Sequence, residues 1–235
     1  MDYRDTPDYA RQFRKGLCFM SEADPQIFNR DCLQPDPVRR NLVVLGDSHA
    51  AQYWRAFADL YPDRNVIQAT ASGCRPLLDA TGAKRCTDLM HYAFAELLRP
   101  GGPVDTVVLA GRWEERELPS LVRTANALRV EGLRVFVIGP SVEYDGDFPV
   151  LMARAKLAGN DEGLEHLRLR GREALDRRMA PMIAATGATY VSIYELLCTG
   201  GHCTHLDATG NPYQFDYGHL TLAAAREMVA QMPPL

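Results

Sequence analysis

The 235-residue chain is 46% apolar and 24% charged, with acidic and basic residues interspersed to a net charge of −4. That size and balance fit one sizeable folded domain, leave little room for two, and exclude a disordered chain. They give no basic surface for a nucleic-acid partner, and no apolar run approaches the roughly eighteen residues that a membrane-spanning helix needs.

The first forty residues are rich in Pro, Asp and Arg and show no clean period. They read as an irregular or partly helical extension or linker, ahead of a domain at 41–235. From residue 41 the pattern changes to short aliphatic runs alternating with helical periods. NLVVLG (41–46) is a strand, AAQYWRAFADL (50–60) a helix and NVIQAT (65–70) a second strand, followed by the Gly/Cys/Pro loop SGCRPLLDATGAKRC. A helix is expected over 87–99, a strand over 105–111, a helix near 118–131 and a strand over 133–139. Residues 140–161 have mixed character and take no assignment. A long helix over 162–186, a strand at 188–194 and a last helix at 220–232 complete the series. Strands that are apolar nearly throughout, separated by helices, imply a parallel sheet covered on both faces, a three-layer α/β sandwich of the doubly wound kind.

The six cysteines fall in three close pairs, Cys18 with Cys32, Cys74 with Cys86 and Cys198 with Cys203, which favours disulfides and an oxidising compartment. The first pair would pin the extension. CTGGHCTH also places Cys198, His202, Cys203 and His205 close together, but its cramped spacing fits structural zinc less well than a disulfide. The N-terminus MDYRDTPDYA lacks the basic and apolar regions of a secretory signal. Both observations agree if the domain is a piece of a longer exported protein.

In open parallel sheets chemistry gathers where strands end and helices begin. Ser48 in GDSHA sits at such a point, where a helix N-cap explains the residues as well as a nucleophile does. Near the C-terminus, Asp216 and His219 in FDYGHLT are three residues apart, a spacing that lets a carboxylate reach Nδ1 of the imidazole and leaves Nε2 free. A surface Asp with a loop His is the plainer alternative, with Thr221 as the cap of the final helix.

Taken together, GDSH at 46–49 and DYGH at 216–219 resemble the SGNH (GDSL-like) hydrolase fold, which implies a mainly parallel, flavodoxin-like sheet. The resemblance implies Ser48 as nucleophile, His219 as general base and then acid, and Asp216 as its orienting partner. It further implies an oxyanion hole from the backbone N–H groups of Ser48 and Gly73. The family's third block is Gly-x-Asn-Asp, whereas here LAGRWE puts Trp113 in place of the Asn. Arg112 or the Trp113 indole N–H is then the candidate third donor, and Trp113 is also a candidate platform for a pyranose ring. The combination of GDSHA, Cys74-x-Pro76, LAGRW and HLT is similar to SGNH domains fused to acyltransferase-3 type membrane proteins, which O-acylate bacterial cell-envelope glycans.

That resemblance implies an O-acyltransferase moving an acetyl group through a Ser acyl-enzyme onto a glycan such as lipopolysaccharide O-antigen. It implies a periplasmic domain tethered to the inner membrane, with a glycan acceptor and a donor relayed by an N-terminal transmembrane acyltransferase domain. No metal or other cofactor is expected. A carbohydrate O-acetylesterase and a non-catalytic glycan-binding module are the alternatives. His49, His91 and His166 are expected to be surface, hydrogen-bonding or packing residues, and Trp54 with Phe57 core.

Overall fold

The computed structural model describes residues 2–24, 28–160 and 163–235. Its centre is a six-stranded, all-parallel sheet of β1 (Phe19–Met20), β2 (Asn41–Gly46), β3 (Asn65–Ala71), β4 (Val104–Ala110), β5 (Arg134–Ile138) and β6 (Thr189–Val191), in the order β1-β3-β2-β4-β5-β6. Without β1 this is the flavodoxin-like order, with its topological switch between β2 and β4.

Alternation along the strands assigns the two layers. Val43, Leu45, Val107, Leu109, Val135 and Val137 pack on one face with α3 (Lys84–Tyr92), α4 (Leu118–Val130) and α7 (Arg170–Ala184). Leu42, Val44, Val108, Ala110, Phe136 and Ile138 pack on the other, with α2 (Ser48–Leu60), α8 (Ile193–Leu197) and α9 (Leu222–Gln231). Leu42 through Leu45 are wholly buried, as the unbroken apolar run of β2 requires.

Several expected elements change. Residues 140–161 comprise a loop and then α5 (Phe148–Ala158), whose N-cap Asp147 accepts from Val150 N. The helix expected at 162–186, whose first residue lies outside the described residues, divides into α6 (Gly163–His166) and α7. Arg168 leaves the helix between them, its backbone bridging Tyr144 and its guanidinium pairing with Glu165 and Glu173. The strand expected at 188–194 stops at Val191 because the Ser192 hydroxyl caps α8, accepting from Glu195 N at 3.1 Å.

The N-terminal segment is built into the domain rather than hung from it as a linker. β1 extends the sheet beside β3, and α1 (Pro7–Phe13) packs on α2. Buried Gln12 donates to the carbonyls of Gln52 (2.9 Å) and Leu220 (3.1 Å), and the Tyr3 hydroxyl accepts from Leu222 N at 2.7 Å. All three expected cysteine pairs are disulfides. The Cys198–Cys203 bond closes a hairpin of β7 (Cys198–Thr199) and β8 (His202–Cys203), so these sulfurs are bonded to each other and not to zinc.

Candidate active site

At the switch point β2 ends in Gly46, whose φ is +148°. A Cβ there would lie 1.8 Å from the Ala110 carbonyl oxygen, so only glycine lets β2 and β4 approach this closely at the turn. Asp47, rather than Ser48, is the N-cap of α2: its Oδ1 accepts from His49 N at 2.8 Å. Ser48 is thereby the first helical residue, and its hydroxyl is released from capping. The other Asp47 oxygen accepts from Arg112 N (2.9 Å) and from the Arg75 guanidinium. Burial pushes the Asp47 carboxyl up from its ordinary value, opposed by the Arg75 charge and these backbone donors.

From the far end of the chain, the turn before α9 brings His219 to this serine. Nε2 of His219 lies 2.8 Å from Ser48 Oγ, and Nδ1 lies 2.8 and 3.1 Å from the two oxygens of Asp216. Asp216 Oδ1 also accepts from the backbone N–H of Gly218 (3.0 Å) and of His219 itself (2.8 Å). Burial raises the Asp216 carboxyl, but the His219 hydrogen bond and charge, with the two backbone donors, outweigh it and hold the group below its ordinary value. Thr221 caps α9 by accepting from Ala224 N, as its position suggests. Four rings enclose the His219 imidazole: Phe215 near-parallel at 5.7 Å, Phe13 and Tyr217 edge-on at 6.2 and 5.4 Å, and His49 at 4.4 Å.

Along the rim, Gly73 follows β3 with a φ of +71°, beside the strand that leads into Ser48. Arg112 follows β4. Its Nε and Nη2 are held by the fully buried Glu143 carboxylate at 2.8–3.2 Å, and its guanidinium lies 4.8 Å over the Tyr217 ring. The Arg112 side chain is 48% exposed. Trp113 corrects the sequence reading. Its side chain is 0% exposed and its indole N–H donates to the Ile138 carbonyl at 2.8 Å, so it is neither a free oxyanion donor nor a surface for stacking a sugar.

The chain matches the family described as "SGNH domain (fused to AT3 domains)" over residues 17–234. It belongs to that family. Among solved structures this SGNH domain resembles the periplasmic domain of the lipopolysaccharide acetyltransferase of Salmonella ser. Paratyphi A, with 19% identity, 98% of this chain and 97% of that one covered, and a TM-score of 0.76. It also resembles a GDSL-like lipase of Bacteroides thetaiotaomicron (14% identity, 84% and 87% covered, TM-score 0.53) and the aryl esterase of M. smegmatis (15%, 81% and 95%, 0.50). No curated protein sequence matches it. At these identities the structures speak for the fold, and the fold is one of serine-dependent acyl transferases and esterases.

Sequence reasoning overlooks much of the polar frame of this SGNH domain. Arg75 ties Asp47 to Glu117, and Glu143 joins Arg112 to Arg172, whose Nη1 donates to the Trp113 carbonyl at 2.6 Å. Glu143 lies in the stretch without a period, and pairing of this kind leaves no local signature. His91 and His166 are exposed. Trp54, hydrogen-bonded to the Val66 carbonyl, and buried Phe57 are packing residues. Among the described residues no helix is long and apolar enough to cross a membrane.

Proposed function

We propose that this domain is a serine-dependent O-acyltransferase acting by a ping-pong route. Ser48 Oγ attacks the carbonyl carbon of an acyl donor while His219 Nε2 takes its proton, and Asp216 holds the ring in the Nδ1–H tautomer and balances the imidazolium. The tetrahedral intermediate collapses, His219 returns the proton to the leaving group, and an acyl-serine ester remains. A sugar hydroxyl then attacks that ester, gives its proton to His219, and departs acylated as Ser48 is regenerated. The observation that carries this reading is the continuous chain of contacts Asp216–His219–Ser48, each 2.8 Å.

With Trp113 committed to the core, the developing oxyanion is left to the backbone N–H groups of Ser48 and Gly73. The Arg112 guanidinium is the candidate third donor. Loss of one such donor typically costs about a hundredfold or more in rate, so Arg112 carries weight if it fills that role. The acceptor we propose is a cell-envelope glycan such as lipopolysaccharide O-antigen, and the donor an acyl group relayed by a membrane acyltransferase domain on the same polypeptide. The domain then works in the periplasm, tethered to the inner membrane. Family membership, with its fusion to AT3 domains, and the disulfides support that placement.

A serine-directed phosphonate should label the wild type and not Ser48→Ala; equal labelling of both would remove the nucleophile. Mass spectrometry of an acceptor oligosaccharide incubated with an activated acetyl ester then separates the outcomes. A gain of one acetyl marks transfer, whereas consumption of the ester without that gain marks an esterase, with water replacing the sugar hydroxyl.

A further inference from the structure

Of the rings around His219, His49 is the second imidazole, and it is 2% exposed. Its Nδ1 lies 3.0 Å from the hydroxyl of buried Ser141, while Nε2 is buried with no hydrogen-bond partner among the described residues. Leaving a polar nitrogen buried and unpaired forfeits its hydration with nothing in return. An apolar side chain would fill the same first-turn position of α2 without that cost, so core packing alone does not account for histidine here. The ring lies where a shift would be felt at once, 4.4 Å from His219 at a 37° tilt, on the residue directly after Ser48.

We propose that His49 is a positioning residue: anchored by Ser141, its imidazole braces the His219 ring in the rotamer that brings Nε2 to Ser48. The inference rests on the serine-dependent reading above. The anchor comes from a different part of the chain, because Ser141 lies in the loop after β5 while His49 rides on α2. The brace thus ties the serine's helix to the loop that carries Glu143. The charges that act on His49 include Arg75, Arg112 and Arg172, the last two paired with buried Glu143, with Asp47 on its own backbone N–H and Tyr217 facing it at 6.3 Å. Burial first, then His219 and these cations, hold its basicity well below the ordinary value.

The test compares His49→Phe, which keeps a flat ring but loses the anchor, with His49→Asn, whose amide can meet Ser141 near the place of Nδ1, and with Ser141→Ala. Turnover of an activated acetyl ester is read with ¹⁵N and low-field ¹H resonances of the His219 ring. Misplacing a catalytic group by an ångström can cost on the order of 100-fold. The Phe and Ala variants should therefore lose about 10- to 100-fold in kcat at unchanged KM, with the His219 Nδ1–H signal broadened or moved, and the Asn variant should recover most of both. A folded Phe variant with wild-type kcat and unmoved His219 resonances would overturn the proposal. So would equal losses in all three variants that track melting temperature. If His49→Phe does not fold, Ser141→Ala decides, since it leaves the imidazole in place. Absence of turnover in the wild type would sink the serine reading instead, and the His219 resonances would still report on the brace.

Discussion

Replacing Asp216 with Asn alters one atom of the His219 partner and inverts its hydrogen-bonding sense. In the native protein Oδ1 accepts from two backbone N–H groups, and Oδ2 faces Nδ1 at 2.8 Å. Asparagine can keep its oxygen on the backbone donors, and its NH2 group must then face Nδ1. A donor there selects the tautomer with the proton on Nε2, which points at Ser48 Oγ and cannot accept from it. The expected loss in kcat is about 10⁴, the size known for the same change in a serine-protease triad, or about 5–6 kcal/mol of transition-state stabilisation. The fold should survive, since the shape and both backbone contacts remain. The lost charge-assisted bond costs about 1.5–3 kcal/mol, equivalent to about 3–12 °C in melting temperature for a domain of this size. Steady-state hydrolysis of an activated acetyl ester, with calorimetry on the same preparation, measures both. The sign of the pH effect follows from the lowered carboxyl: it contributes stability above its ordinary value of 3.8, lost as pH falls through the lower folded value. The wild-type urea midpoint should thus fall more steeply below about pH 4 than that of the Asn variant. A folded Asn variant retaining more than a tenth of wild-type kcat would refute the tautomer reasoning.

Trp113→Ala should cost about 3–5 kcal/mol by emptying a fully buried site, and Trp113→Phe about 1 kcal/mol for the Ile138 bond, with glycan KM unchanged for the Phe variant; weaker glycan binding at unchanged melting temperature would restore the stacking role. Gly46→Ala drives a Cβ against the Ala110 carbonyl and should give little folded protein on expression or at least about 3 kcal/mol of destabilisation in urea, whereas near-native stability would mean the strands can part. The double replacement of Cys74 and Cys86 by Ser opens a loop of separation 12 and should lower stability by about 3 kcal/mol in denaturant titration. Because Gly73 adjoins that bridge, kcat should fall as well, and an unchanged kcat would argue against Gly73 as an oxyanion donor.

How much of this was legible beforehand depended on whether the signal was local. The strands β2 through β5 are written as apolar runs because a strand buried on both faces has no polar side to show. The three cysteine pairs are close in sequence, so proximity alone suggests them. Where two neighbours compete for one role, local reading falters. Either Asp47 or Ser48 could cap α2, and the pull of Arg75 and Arg112 N on Asp47 fixes it as the cap. Periodicity overextends the strand at 188–194 and the helix at 162–186, since Ser192 as a cap and Arg168 as a buried ion-pairing residue act through partners that it does not reveal. How the N-terminal extension or linker packs is hidden for the same reason: its polar side chains, Tyr3 and Gln12, bond to α2 and to the residues entering α9.

By itself, the sequence determined the layered α/β class, the cysteine partners and the residue types needed for a serine, histidine and aspartate constellation, because alternation, spacing and short motifs are properties of neighbouring residues. Tertiary structure alone decided the rest. It carried Ser48 to within 2.8 Å of a histidine 171 residues away, turned Trp113 inward onto Ile138, and added Phe13 and His49, from distant segments, to the rings that Phe215 and Tyr217 set around His219. Those outcomes depend on which surfaces the folded sheet and its helices bring together, and on which polar atoms must then find partners away from water.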